Sequence, residues 1–188
     1  MPRVSARFVA SLFAVIVLLA APLPASAKAA AGSDAGSAAA LAEQLGLQRV
    51  APPSPMANWP TYIWSLASGR YVTARMSQTD GPLQARADIA STWEVFYTRY
   101  SDDGESWIIE AQDKYVTVRI SQTDAPLQLR AKVVSDWERF DLWKTPDGYS
   151  ALQSRANGKF VTARISQTDS PLQARASTIG LWEKFIIP

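Results

Sequence analysis

The decapeptide SQTDGPLQAR fills residues 77–86, and nearly the same string returns as SQTDAPLQLR at 121–130 and SQTDSPLQAR at 166–175. The copies are offset by 44 and then 45 residues. A fixed period of this size marks repeated supersecondary units. Working outward, the copies align on an aromatic residue (Tyr71, Tyr115 or Phe160) and share a closing Trp-Glu-x-Phe at 93–96, 137–140 and 182–185. Each resolves into four short strands, read in the third copy as 149–155, 160–165, 172–177 and 181–187. Asn157-Gly158 supplies a hairpin turn, and Asp102-Asp103-Gly104 and Pro146-Asp147-Gly148 separate one copy from the next. Three repeats of four strands, without helical periodicity, predict an all-β chain with twelve strands. The expected fold is a β-trefoil, a six-stranded barrel capped by three hairpins that closes off most strand edges. A three-bladed propeller is disfavoured because blades number four or more.

The pattern Asn157-Gly158-Lys159-Phe160-Val161-Thr162-Ala163, then Pro171-Leu172-Gln173-Ala174, then Trp182-Glu183-Lys184-Phe185, resembles the fascin-like branch of β-trefoil domains. There a Gly-Lys-Tyr-hydrophobic stretch precedes Trp-Glu-x-Phe in every repeat. The resemblance covers residues 59–188 in three registers. Eukaryotic fascins bundle actin inside cells. A chain with an export signal and one trefoil instead resembles the bacterial secreted type, which often accompanies polysaccharide-degrading enzymes. The Gln-x-Trp motif of ricin-type lectins is absent.

Arg3 and Arg7 precede an apolar run from Phe8 to Ala21, and Ala25-Ser26-Ala27 forms an A-x-A site. Residues 1–27 therefore read as a cleaved signal peptide, and the expected location is extracellular or periplasmic. Residues 28–58, rich in Ala, Gly, Ser and Pro, read as a linker in which 37–50 has the composition of a short, marginal helix. All seven Trp lie from Trp59 onward, so the folded domain is expected over 59–188. Beyond the signal the chain has 17 basic residues (19 less Arg3 and Arg7) and 17 acidic ones. With no basic excess, nucleic acid is not an expected partner. With neither Cys nor His, no disulfide framework, ordinary zinc site or His-based nucleophile pair is expected, and no cofactor is implied.

Strand parity divides the repeated residues. One set is apolar (Val72, Ala74, Met76, Leu83, Ala85, Ala87 and their copies) and reads as core, joined by Trp93, Phe96 and their copies. Ile63, Trp107 and Leu152 share one position where only volume matters. The other set is polar: Arg75, Gln78, Asp80, Gln84 and Arg86; then Arg119, Gln122, Asp124, Gln128 and Arg130; then Arg164, Gln167, Asp169, Gln173 and Arg175. With Thr73, Thr117 and Thr162 these residues form three candidate ligand-binding clusters. Turn-and-salt-bridge architecture remains the open alternative. Glu94, Glu138 and Glu183 raise a catalytic reading, since glycosidases use paired carboxylates. Each of these Glu recurs with the repeat, however, and is expected to accept hydrogen bonds from backbone or Arg, so no enzyme is expected.

Dense amide and guanidinium donors suit a glycan or cell-wall polymer, including an acidic one. The expected function is a secreted, non-catalytic, lectin-like module with up to three sites, with platforms sought at Trp64, Tyr97, Trp143 and Tyr149. The alternative is an extracellular protein-interaction module, an inhibitor or adaptor; actin bundling ranks third.

Overall fold

The computed structural model describes residues 42–51 and 58–188. Strand β1 (Gln48–Arg49) precedes the repeats. The first repeat holds β2 (Trp59–Tyr62), β3 (Trp64–Ser65), β4 (Arg70–Ala74), β5 (Leu83–Ala87) and β6 (Val95–Tyr100). The second holds β7 (Trp107–Ala111), β8 (Lys114–Val118), β9 (Leu127–Ala131) and β10 (Phe140–Lys144). The third holds β11 (Ser150–Ser154), β12 (Phe160–Ala163), β13 (Leu172–Ala176) and β14 (Phe185–Ile186). β2 and β3 act as one strand broken at Ile63, where the chain changes partner: β2 pairs with β6, whereas β3 pairs with β14 and β4.

Taken so, the pairings β2-β6-β7-β10-β11-β14-β3 return to their start and close a six-stranded barrel. The hairpins β4/β5, β8/β9 and β12/β13 cap it, each an antiparallel pair. The protein is a β-trefoil, with the expected twelve strands as its framework. The apolar columns meet inside it: Val72, Leu83, Val116, Leu127, Val161 and Leu172 are each at most 1% exposed. Phe96, Phe140 and Phe185 are fully buried, and Ile63, Trp107 and Leu152 fill their shared position with three different volumes.

Other core expectations are corrected. Trp93, Trp137 and Trp182 are 48%, 48% and 36% exposed. Strand parity does not reach them, because each sits in a 3-10 turn (Thr92–Glu94, Asp136–Glu138, Leu181–Glu183) ahead of the strand that carries the buried Phe. Ile120 and Ile165 are exposed and Met76 is half-buried, since the strands end at Val118, Ala163 and Ala74. Ala87, Ala131 and Ala176 lie past an irregularity in their strands and are half-buried.

Part of the stretch expected to be linker joins the trefoil. Residues 42–44 are helical, and β1 then pairs antiparallel with β10. The Val50 N–H donates to the Leu142 carbonyl, and the Val50 carbonyl accepts from Trp107 Nε1. Ala42 and Leu47 pack with Trp143, Ala151 and Phe160. Trp143, expected to face outward, is thereby 7% exposed. The signal peptide over 1–27 and the remainder of the 28–58 linker lie outside the described residues. Among the described residues, no helix is long and apolar enough to cross a membrane.

Two positions test this architecture. Gly81 has φ +52°, and a Cβ there would lie 2.8 Å from the Leu129 carbonyl oxygen. Ala125 and Ser170 take the equivalent position at φ +45° and +47°. Gly81→Ala is expected to destabilise by about 1–3 kcal/mol through overpacking, and Ser170→Ala by less than about 0.5 kcal/mol, measured by urea unfolding. In the β6–β7 turn, Asp103 accepts from Ser101 Oγ and the Glu105 N–H and pairs with Arg139. The Ser101 hydroxyl first, then the Glu105 amide, lower its pKa to about 2. A depressed folded pKa gives stability that is present above the unfolded carboxylate value, near 4, and is lost as pH falls toward 2. Asp103→Asn should lower Tm at neutral pH and flatten the Tm decline between about pH 4 and 2.

Candidate functional site

Each hairpin carries an extra residue at the same place. The register pairs Tyr71 with Ala87 but Val72 with Ala85, which leaves Arg86 in a bulge. Arg130 and Arg175 are bulged in the same way. A bulge re-aims its side chain, and here the arginine turns toward the neighbouring repeat. Arg130 lies 3.1 Å from Asp80, Arg175 lies 3.4 Å from Asp124, and Arg86 lies 3.5 Å from Asp169. Arg75 and Arg164 approach Asp169 and Asp124 more loosely, at 3.9 and 4.0 Å. The ion pairs thus run from each hairpin tip to the next hairpin around the pseudo-threefold axis.

The aspartates reach across because of their backbone. Asp80, Asp124 and Asp169 sit at φ +66°, +65° and +63°, in the left-handed region that Asp tolerates at turns. The following carbonyls accept backbone bonds from the neighbouring hairpin: Leu129 N–H to Gly81, Ala174 N–H to Ala125 and Ala85 N–H to Ser170. Asp80 is therefore an inter-repeat contact rather than the closure of its own Asx turn.

The glutamines divide into two groups. Gln84, Gln128 and Gln173 are at most 9% exposed, and each side-chain oxygen accepts from the arginine on its paired strand: Arg75, Arg119 and Arg164. They orient guanidinium groups from beneath. Gln78, Gln122 and Gln167 are exposed at the tips. Gln122 accepts weakly from Gln128, whereas Gln78 and Gln167 have no side-chain partner among the described residues. Ser77 and Thr79 also lack one. Within SQTD, then, Asp is engaged with the next repeat while Ser, Thr and, apart from Gln122, Gln have no side-chain partner among the described residues.

Thr73, Thr117 and Thr162, expected on the outer face, are buried because the Trp-Glu turn folds over them. Glu94 accepts from Thr73 Oγ1 at 2.7 Å, from the Ser91 N–H at 2.9 Å and from Ser91 Oγ at 2.6 Å. Glu183 accepts from Thr162 Oγ1 and the Gly180 N–H. Glu138 accepts from the Ser135 N–H and Oγ, while Thr117 Oγ1 is left without a partner. Among the described residues no arginine joins any of the three. All three glutamates lock the turn, Glu94 and Glu183 with both oxygens engaged.

Locking that turn holds the Trp in place. Trp93 forms one wall of a cleft of about 490 Å³, with Arg75, Ser77, Arg86 and Asp88 around it and Glu94 at its base. The same residue types recur at the equivalent positions of the second and third repeats, except at the position of Asp88. The cleft joins an exposed indole to two guanidinium groups and a free tip hydroxyl. This aromatic is the element that sequence reasoning placed in the core; three Trp preceded by cap residues (Ser91, Ser135, Gly180) was the available signal. Of the platforms sought before, Tyr97 is exposed, Trp64 and Tyr149 are half-buried, and Trp143 is buried. Among the described residues no group of acidic side chains could hold a metal ion.

No protein-family model matches the chain, nor does any curated protein. Solved structures do resemble it, β-trefoil proteins among them. SeviL bound to asialo-GM1 saccharide is 14% identical with TM-score 0.57, the match covering 70% of this chain and 97% of that one. A ricin B-like lectin of Macrolepiota procera in complex with lactose is 12% identical with TM-score 0.57, covering 71% and 98%. A mosquitocidal holotoxin gives TM-score 0.62 at 11% identity; the match covers 70% of this chain but only 17% of the toxin. At these identities the likeness is one of fold.

The division between architecture and free surface can be measured. A double-mutant cycle on Asp80→Ala and Arg130→Ala should give a coupling of about 0–1 kcal/mol, as for half-exposed pairs. Phe96→Ala should cost about 3–5 kcal/mol, whereas Trp93→Ala, half-exposed, should cost far less by the same denaturation measurement.

Proposed function

We propose that this β-trefoil is a non-catalytic carbohydrate-binding module whose three sites are the clefts walled by Trp93, Trp137 and Trp182. The observation that carries the reading is that three equivalent indoles are exposed on turns locked by a buried, hydrogen-bonded glutamate, the first of them sharing a cleft with Arg75 and Arg86, whose types recur in the other repeats. A sugar ring offers an apolar face to an indole and a rim of hydroxyls to hydrogen-bonding groups. Arg86, Arg130 and Arg175 supply fixed donors, and the tip residues Ser77, Gln78 and Thr79 and their copies supply adaptable ones. Lectin neighbours of the same fold that hold asialo-GM1 saccharide and lactose make the reading natural for this scaffold. Three weak sites on one rigid body suit a repetitive polymer, where avidity replaces single-site affinity.

The reading extends to context. The A-x-A pattern that ends at Ala27 supports export, and the Gly-Lys-aromatic and Trp-Glu-x-Phe motifs support a fascin-like domain of the bacterial secreted type. Catalysis is not part of the proposal, because Glu94, Glu138 and Glu183 are all spent on the turn.

The test is a glycan array followed by titration of the mature chain against the polysaccharide that scores highest. Trp93→Ala, Trp137→Ala and Trp182→Ala are each expected to weaken polymer binding roughly tenfold, and the triple variant, still folded by circular dichroism, should lose it. Binding that survives the triple change would overturn the assignment of the clefts. An array without signal, together with a one-to-one complex with an extracellular protein, would favour the adaptor alternative.

A further inference from the structure

The three repeats share a frame but differ in charge at one place. On the paired hairpin strands, Arg70 and Asp88 of the first repeat form an ion pair of 3.0 Å. The third repeat has Lys159 and Ser177 there, joined by a 2.8 Å hydrogen bond. The second repeat has Lys114 and Lys132. They flank the register pair Tyr115–Ala131, as Arg70 and Asp88 flank Tyr71–Ala87. Neither ammonium has a side-chain partner among the described residues.

Like charges facing one another across paired strands oppose folding. The first repeat shows that the same frame accepts an opposite charge at this place, and the third a neutral hydrogen-bonding partner. The second repeat also carries the exposed carboxylates Asp113 and Asp136, where the others have Gly69 and Thr92 or Gly158 and Leu181. Among the described residues Arg119 makes a hydrogen bond to Gln128 but no ion pair, whereas its counterparts Arg75 and Arg164 approach a carboxylate. Lys132 also edges a neighbouring hollow of about 370 Å³ with Arg99 and Arg139. Those two arginines are already matched, Arg99 with Asp102 and Glu110, and Arg139 with Asp103. Lys114, Lys132 and Arg119 therefore have no ion-pair partner among the described residues, in the repeat that also carries the exposed Trp137.

We propose that the three clefts are not redundant: the second is an anion-selective subsite that takes an acidic saccharide, its carboxylate or sulfate on Lys114 and Lys132 and its ring on Trp137. This rests on the reading of the Trp clefts as carbohydrate sites. The first cleft, where Asp88 neutralises Arg70, and the third, with Ser177, take neutral units. A polymer carrying an acidic group at intervals would then be read by composition as well as by repetition.

The experiment titrates the mature chain by calorimetry at low and high salt with a tetragalacturonate, a sulfated galacto-oligosaccharide, the neutral galacto-oligosaccharide, and sodium sulfate. An acidic probe should bind at one site per chain, about tenfold or more tighter than the neutral one at low salt, with the preference shrinking at high salt. Its carboxylate or sulfate form identifies the group accepted. Lys114→Gln/Lys132→Gln should abolish the preference while leaving Tm unchanged or raised, since it removes a repulsion. Asp88→Lys, which copies the second repeat into the first, should create a second acidic site per chain. Equal binding of acidic and neutral probes would overturn the inference and leave the carbohydrate reading standing. Sodium sulfate binding to Lys114 and Lys132 without any saccharide binding would overturn both, as would no binding of any probe.

Discussion

Three backbone hydrogen bonds hold the hairpin cap together, and the rest of the surface is arranged around them. The carbonyls of Gly81, Ala125 and Ser170 accept from the third strand of the neighbouring repeat, so each repeat is completed by another. To present those carbonyls, the chain must take two successive left-handed residues at each tip. That requirement explains the Asp at positions 80, 124 and 169, and it points the carboxylate at the next repeat's bulged arginine. Most of a polar decapeptide repeated three times is thereby explained without a ligand. Ser77, Gln78, Thr79 and their copies other than Gln122 are the part that architecture leaves unused.

The second constraint is the Trp-Glu turn. Burying a carboxylate is costly unless its oxygens are matched, and Thr73 with Ser91 matches Glu94 closely. The turn is then rigid, and its indole is held outside the core beside a bulge that holds an arginine. An exposed aromatic supported in this way is pre-organised, so little conformational entropy remains to be lost on binding. The imperfect copies are informative. Glu138 lacks the threonine bond, and Thr117 Oγ1 is buried without a partner. Those departures and the facing lysines 114 and 132 both fall in the second repeat, where local self-satisfaction is least complete.

The N-terminal approach segment belongs to the same logic of closure. β1 pairs with β10, and Ala42 and Leu47 cover Trp143. Neither the second nor the third repeat has an equivalent strand ahead of it, so the addition breaks the threefold pattern on one side of the barrel. The hairpin clefts, at positions set by the repeat, keep their common frame.

The fold was legible in the chain's pattern, because a 44–45-residue period, alternating apolar columns and turn dipeptides admit few closed all-β solutions. The same pattern showed which residues recur, and so where any repeated site must be. Which of them face a ligand was not written there. Aromatic bulk placed both Phe96 and Trp93 in the core, correctly for Phe96 but not for Trp93, which sits in a 3-10 turn ahead of the strand. Parity placed Thr73 and Gln84 outside, where a folded-over glutamate and a neighbouring arginine in fact cover them. The partner of each aspartate lies one repeat away, some 50 residues distant along the chain in the case of Asp80 and Arg130. Long-range pairing of that kind leaves no local trace. Of SQTDGPLQAR, the chain's own pattern revealed a hairpin; only packing of the three hairpins against one another divided it into residues that hold the cap and residues left free to bind.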